Sequence, residues 1–280
     1  MDLRILRLRL RSDSHVKEDA AKLRGFFATS FNDQTLLHHH FTDRLIYRYP
    51  LIQYKIIQGV PVILGINEGA DVLRDVYDKF GEIRLGDRSY SVVERHICLR
   101  RERFGCAGEL HAYRFVTPWL ALNQENYMRY ADAASWYERK EILRKILVGN
   151  ILSAAKGLGY TVDEQIRLEL GRVRDEICIL KGVMVTGIKC EFLTNFHIPD
   201  LMGLGKSVSR GFGAVGALEG RRRKLDDCGD GVTERNEFIK GSINSTHARD
   251  PLEKEISKGR SAKKNEKSPL SKSEFQENKD

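Results

Sequence analysis

"LRILRLRLR", Leu3 to Arg11, alternates apolar and charged side chains from Leu6 onward. A period of two belongs to a strand with one buried face. Working outward, Asp13 or Ser14 is placed to cap a helix through "VKEDAAKLRGFFATSF" (16–31). Leu45 to Ile57 reads as a second strand, and "VPVILGI" (Val60–Ile66) as its continuation or a third. Pro50 marks that run as an edge strand or the start of one. "NEGADVLRDVYDKFG" (Asn67–Gly81) is predicted helical, with Val72, Leu73, Val76 and Phe80 on one face and Gly81 at the end. "RSYSVVERHICLRR" (88–101) and "ELHAYRFVTPWLAL" (109–122) read as strands, with "ERFGCAG" (102–108) between them as a hairpin turn.

The order β-α-β-(β)-α-β is the split βαβ, or ferredoxin-like, plan. The second half repeats it loosely. "YRFVTPWLAL" is a strand, and residues 125–159 are helical in two segments closed by Gly157 and Gly159. Residues 162–196 alternate enough for two or three strands, and "HIPDLMGLGKSVSRGFGAVGAL" (197–218) runs from a turn through a glycine-rich loop into a last strand. The expected fold class is α+β: two tandem ferredoxin-like (RRM-like, βαββαβ) domains, residues 1–105 and 106–218. A polar tail, 219–280, is rich in Lys, Glu, Ser and Asn and too poor in apolar residues to offset chain entropy, so it is expected to be disordered.

Composition narrows the partner. The formal net charge is +8 and the pI is near 9.2, which favours a polyanion such as nucleic acid or a membrane surface. The tail carries 15 basic and 13 acidic residues, so most of the excess sits in the first 218. No apolar run approaches the ~20 residues of a membrane span, and no apolar stretch of a signal peptide follows Met1. The five cysteines are odd in number and lack CxxC spacing, which argues against a disulfide framework or zinc ribbon and fits a reducing cytoplasm.

Two stretches hold candidate chemistry. "GLGKSVSRGFG" (Gly203–Gly213) combines Gly203, Gly205, Gly211 and Gly213 with Lys206, Ser207 and Arg210. Glycines let a backbone approach a phosphate and present N–H groups to it. The stretch is neither a P-loop nor a dinucleotide fingerprint, since GxxxxGK[ST] and GxGxxG both fail. The bland reading is a flexible turn; Lys206 and Arg210, four apart, favour phosphate-backbone contact.

The second stretch is "LLHHHFTDRLIYRYPLIQYK" (Leu36–Lys55). In an extended segment His38 and His40 share one face and His39 takes the other. A solvated loop cluster, a metal site and an acid–base pair all remain open on the residues alone. A metal would need further ligands from His15, His96, His111 or His197, none at helpful spacing. Histidine suits acid–base work because its ordinary pKa of ~6.5 lies near working pH. Tyr47 and Tyr49 share a face of the predicted strand, with Lys55 on the same parity; Lys55 alone reads as a solvated edge charge or an RNA-backbone contact.

The G-x-G-x-x-x-x-x-G-F-G pattern of Gly203, Gly205, Gly211, Phe212 and Gly213 resembles the RAMP superfamily of CRISPR-associated RNA-binding proteins. His38-x-His40 followed by Tyr47-x-Tyr49-Pro-Leu-Ile-Gln-Tyr-Lys55 is similar to the CRISPR repeat endoribonucleases of the subtype I-B kind, which mature pre-crRNA. The resemblance covers residues 1–218, including "PWLALNQENY" (Pro118–Tyr127). It implies metal-independent cleavage without a cofactor: His38 and His40 as acid–base pair, Tyr47 on the phosphate oxygens, and RNA held by the glycine-rich loop and Lys55. The family often places a lysine before the histidines; here Arg24 stands between Leu23 and His38 with no lysine. The implied partner is CRISPR repeat RNA, with effector-complex subunits and a second copy as further options. The rival expectation is a non-catalytic RNA-binding subunit of such a complex, which would not need His38 and His40.

Overall fold

In the computed structural model, residues 1–31, 49–218 and, as backbone, 233–235 are described. Strand β1 (Asp2–Ser12) follows the predicted alternation and buries both faces. Leu6, Leu8 and Leu10 enter one core, while Leu3 and Ile5 enter another. A one-residue shift of parity at Leu6 thus makes one strand serve two cores.

Helix α1 (Ala20–Ser30) starts later than expected. Its cap is Asp19, whose carboxylate accepts from the Lys22 amide at 2.9 Å, rather than Asp13 or Ser14. The Val16 amide donates to Gly59 O, which ties the chain before the helix to a strand turn. Strands β2 (Ile52–Ile57) and β3 (Val60–Ile66) form a hairpin, so "VPVILGI" is a third strand. β2 begins two residues after Pro50 and lies at the sheet edge, as a proline there requires. Tyr49 therefore precedes the strand, and strand parity does not link it to Lys55. Helix α2 (Glu68–Val76) presents Ala70, Leu73 and Val76 to the core, and Phe80 beyond its end is buried with them. Strand β4 (Glu82–Leu85) pairs with the start of β5 (Arg88–Arg103).

The main path of the first sheet is β5-β1-β3-β2, antiparallel throughout. This is the ferredoxin-like order, in which the first and third strands are central. A short strand β10 (Thr233–Arg235) adds to the outer edge of β5 beside His96, so three residues of the tail expected to be disordered are paired. β5 is 16 residues long, and β4 covers the first part of that edge, leaving ladder groups for β10.

The expected hairpin at 102–108 is not one. β6 (Gly105–Phe115) belongs to the second sheet, and Phe104 passes the chain between sheets. Its ring is buried edge-to-face against Tyr160 and Phe196. β6 ends at Phe115, so Pro118–Leu122 leave the strand, with Trp119 bridging back to Ile188. Helices α3 (Gln124–Asp132) and α4 (Trp136–Gly157) follow, capped by Asn123 and Ser135. β7 (Leu168–Leu180) and β8 (Val183–His197) form a hairpin whose two turn residues, Lys181 and Gly182, both have positive φ. With β9 (Val215–Ala217) the second sheet orders as β9-β6-β8-β7, the same plan as the first. Here an irregular segment carrying the glycine-rich loop replaces the second helix.

The second core joins that sheet and α4 to the back of the first sheet. Leu3, Ile5, Leu64 and Ile66 pack in one cluster with Trp119, Leu147 and Phe192. Each such fully buried side chain contributes about 1.5–3 kcal/mol, so the two sheets stabilise one another.

Candidate nucleic-acid interface

The glycine-rich loop lies against β2 and α1. Its single 3₁₀ turn, Val208–Arg210, is flanked by Ser207 and Gly211 at φ of 61° and 96°. A Cβ on Gly211 would stand 2.6 Å from Ala20 Cβ, and one on Gly205 the same distance from the Trp119 indole nitrogen. Close packing within the protein thus accounts for these glycines. The Gly203 amide donates to Gln53 Oε1, that of Gly211 to Val208 O, and that of Gly213 to Pro118 O. The Gly203 and Gly213 amides are thus bound within the protein and that of Gly211 within the loop's own turn, so these three N–H groups already have partners, unlike the free donors expected to meet a phosphate. Outward, the loop offers exposed Lys206, with Gly205, Ser207 and Arg210 half-buried.

The strand under the loop has two unlike faces. Ile52 and Tyr54 face the first core. Gln53 and Lys55, both 0 % exposed, face the loop. Gln53 Nε2 donates to Tyr49 Oη at 2.9 Å and to Pro50 O at 3.1 Å. Tyr49 Oη donates to Gly203 O at 2.5 Å. Lys55 Nζ donates to Gln53 Oε1 at 3.2 Å. Lys55 is therefore not the solvated edge cation, and its ammonium does not stand on the surface where RNA would meet it. Burial, and then the charge of Arg7, lower its pKa to about 7, while Asp200 acts the other way. Burial raises the Tyr49 phenol, keeping it a donor.

Basic groups gather along the same seam. Arg7 reaches across to Asp200 at 2.8 Å. Half-buried Arg24 sits one helical turn beyond Ala20, beside the loop; burial first and Arg210 second lower its pKa. His38, His40 and Tyr47 lie outside the described residues. Of the other histidines, His111 and His197 come together with ring centroids 4.3 Å apart, His15 lies by Gln58 O and His96 by Glu94. Among the described residues no group of three or more His, Cys, Asp or Glu is arranged to hold a metal ion, and no helix is long and apolar enough to cross a membrane. Sequence reasoning named Tyr49 only as a strand aromatic of the motif and gave Gln53 no role. The available signal was a glutamine and a lysine, two apart, inside an otherwise apolar strand.

Two antiparallel sheets of ferredoxin-like order, joined through Phe104 and carrying a basic seam, define a tandem ferredoxin-like protein. Residues 1–103 match the family model for the Cas6b N-terminal domain, and residues 105–218 that for the Cas6b C-terminal domain. A crystal structure of Cas6b is 33% identical, spans 78% of this chain and all of its own, and superposes with a TM-score of 0.71. A second, described as the CRISPR RNA processing endoribonuclease Cas6b, is 32% identical over the same shares, with a TM-score of 0.61. An uncharacterised protein of Methanocaldococcus jannaschii is 42% identical over 138 residues, 49% of this chain and 93% of its own. The chain belongs to the Cas6b family.

Proposed function

We propose that this protein cuts CRISPR repeat RNA in pre-crRNA to give mature crRNA, without a metal or other cofactor. The observation that carries the reading is 32% identity, across the whole of the relative's length, to a CRISPR RNA processing endoribonuclease. The pair His38 and His40, followed in the sequence by Tyr47, adds the chemistry such a reaction needs. One histidine takes the proton from a ribose 2′-OH, and the 2′-oxygen attacks the adjacent phosphorus. The other histidine protonates the departing 5′-oxygen. The P–O5′ bond breaks as the P–O2′ bond forms, leaving a 2′,3′-cyclic phosphate and a 5′-OH. Tyr47 donates to the non-bridging oxygens as charge builds there.

The loop tip, with Lys206, Ser207 and Arg210, meets the RNA backbone. Specificity arises from RNA shape and unpaired bases, because the A-form major groove is too narrow for side chains. The free cysteines Cys98, Cys106, Cys178 and Cys190 suit a cytoplasmic setting. The test is incubation of the purified protein with repeat RNA in EDTA, followed by mapping of the ends. Cyclic phosphate and 5′-OH termini are expected. Cutting that waits for added Mg²⁺ or Zn²⁺ would overturn the metal-free mechanism. RNA bound but uncut under both conditions would point to a non-catalytic subunit.

A further inference from the structure

Gly203 has both backbone groups bound by side chains from the other half of the chain. Its N–H donates to Gln53 Oε1 at 2.9 Å and its carbonyl accepts from Tyr49 Oη at 2.5 Å. The Gln53 carboxamide is saturated: the oxygen accepts from Gly203 N and Lys55 Nζ, and the nitrogen donates to Tyr49 Oη and Pro50 O. A flipped amide would aim its NH₂ at two donors, so one orientation alone fits. The approach is close enough that a Cβ at 203 would meet Val208 Cβ at 2.7 Å and Gln53 Oε1 at 3.0 Å. Gly203 then pairs with Ala214, and the Leu204 amide donates to Gly213 O, which closes the base of the loop.

A buried strand does not need this polarity for stability. Apolar residues at 53 and 55 would bury without the desolvation cost that an amide and an ammonium bring. What the network provides is register. It begins at Tyr49, two residues after Tyr47, and ends at the first glycine of the loop. We infer that Gln53, with Tyr49, fixes the position of the glycine-rich loop on β2, the strand that follows the histidine segment in the sequence, and that cleavage of RNA held by the loop depends on that register. This rests on the cleavage reading above. Neither residue touches the RNA; both act through Gly203.

The experiment uses the full chain with Gln53→Leu, Gln53→Glu and the milder Tyr49→Phe. It measures single-turnover cleavage, affinity for a 2′-deoxy repeat that cannot be cut, and hydrogen exchange across residues 201–213. Gln53→Leu is expected to slow cleavage roughly 10- to 100-fold while affinity changes less than about threefold. Gln53→Glu keeps the acceptor for the Gly203 amide and should recover part of the rate. Adding Tyr49→Phe to Gln53→Leu removes the second bond to Gly203, and the two losses should combine to less than the product of the single effects, since both act through one glycine. Wild-type cleavage in Gln53→Leu despite faster exchange in the loop would overturn the inference. So would equal losses of rate and affinity, which a merely structural role gives. If the wild type binds but does not cut, the cleavage reading fails, and exchange still decides the clamp: faster in Gln53→Leu upholds it, unchanged overturns it.

Discussion

Lys55 shows how burial redefines a residue that a strand pattern leaves at the surface. Its ordinary pKa of 10.5 falls to about 7 in the folded protein. Between those values the unfolded chain holds a proton that the folded chain has released, so stability rises with pH across that window. Below pH 7 both states are protonated and the penalty is constant. The wild type should therefore gain on the order of 2 kcal/mol between pH 7 and 9 relative to Lys55→Met, read from urea unfolding at each pH. The histidines carry the other prediction at this scale. His38→Ala and His40→Ala should each slow cleavage by about 10²- to 10⁴-fold with RNA affinity nearly intact. Equal loss of affinity would mean that they hold RNA rather than move protons.

At the scale of elements, the loop combines a packed base with a charged tip. Gly205 has φ of 91°, and a Cβ there would stand 2.6 Å from the Trp119 nitrogen that donates to Asn150 at 2.8 Å. Gly205→Ala should lower stability by roughly 1–3 kcal/mol, seen as a lower melting temperature. Lys206→Ala acts on the tip, where the side chain is exposed. It should weaken RNA binding and reduce the slope of log affinity against log salt by about 0.7 without changing the melt. The same slope change is expected for Arg210→Ala; an unchanged slope would remove either side chain from the phosphate contacts.

At the largest scale, the described residues form two ferredoxin-like sheets that share a core. Leu3, Ile5, Leu64 and Ile66 lie on the back of the first sheet and are covered by the second. Arg7 crosses to Asp200, and the Asp200 amide in turn donates to Glu102 at 3.0 Å. Residues 1–103 expressed alone would expose that apolar face. They should aggregate, or melt without the sharp thermal transition expected of the full chain, by circular dichroism and light scattering. A stable, soluble, cooperatively melting fragment would show that the shared core is dispensable.

Much of this architecture could be read along the chain because its signals are local. Alternation marked β1, the turn glycines and helical spacing marked the elements between, and the βαββαβ order followed from their sequence. The histidine pair and the loop glycines were equally visible as patterns of residues. What local pattern could not reach were contacts between residues 150 or so apart. "ERFGCAG" has the composition of a turn, yet packing of Phe104 against Tyr160 and Phe196 carries it straight from one sheet to another. The loop glycines look like a cradle for phosphate, yet Gly203 and Gly213 bond their amides to Gln53 and Pro118, and Gly211 closes the loop's own turn on Val208. The sequence by itself determined which elements form and which chemical groups are on hand. Tertiary structure alone decided which faces are buried twice, and therefore that Lys55 is desolvated and that Gln53 and Tyr49 grip Gly203, because desolvation and hydrogen-bond saturation depend on what packs across the sheet.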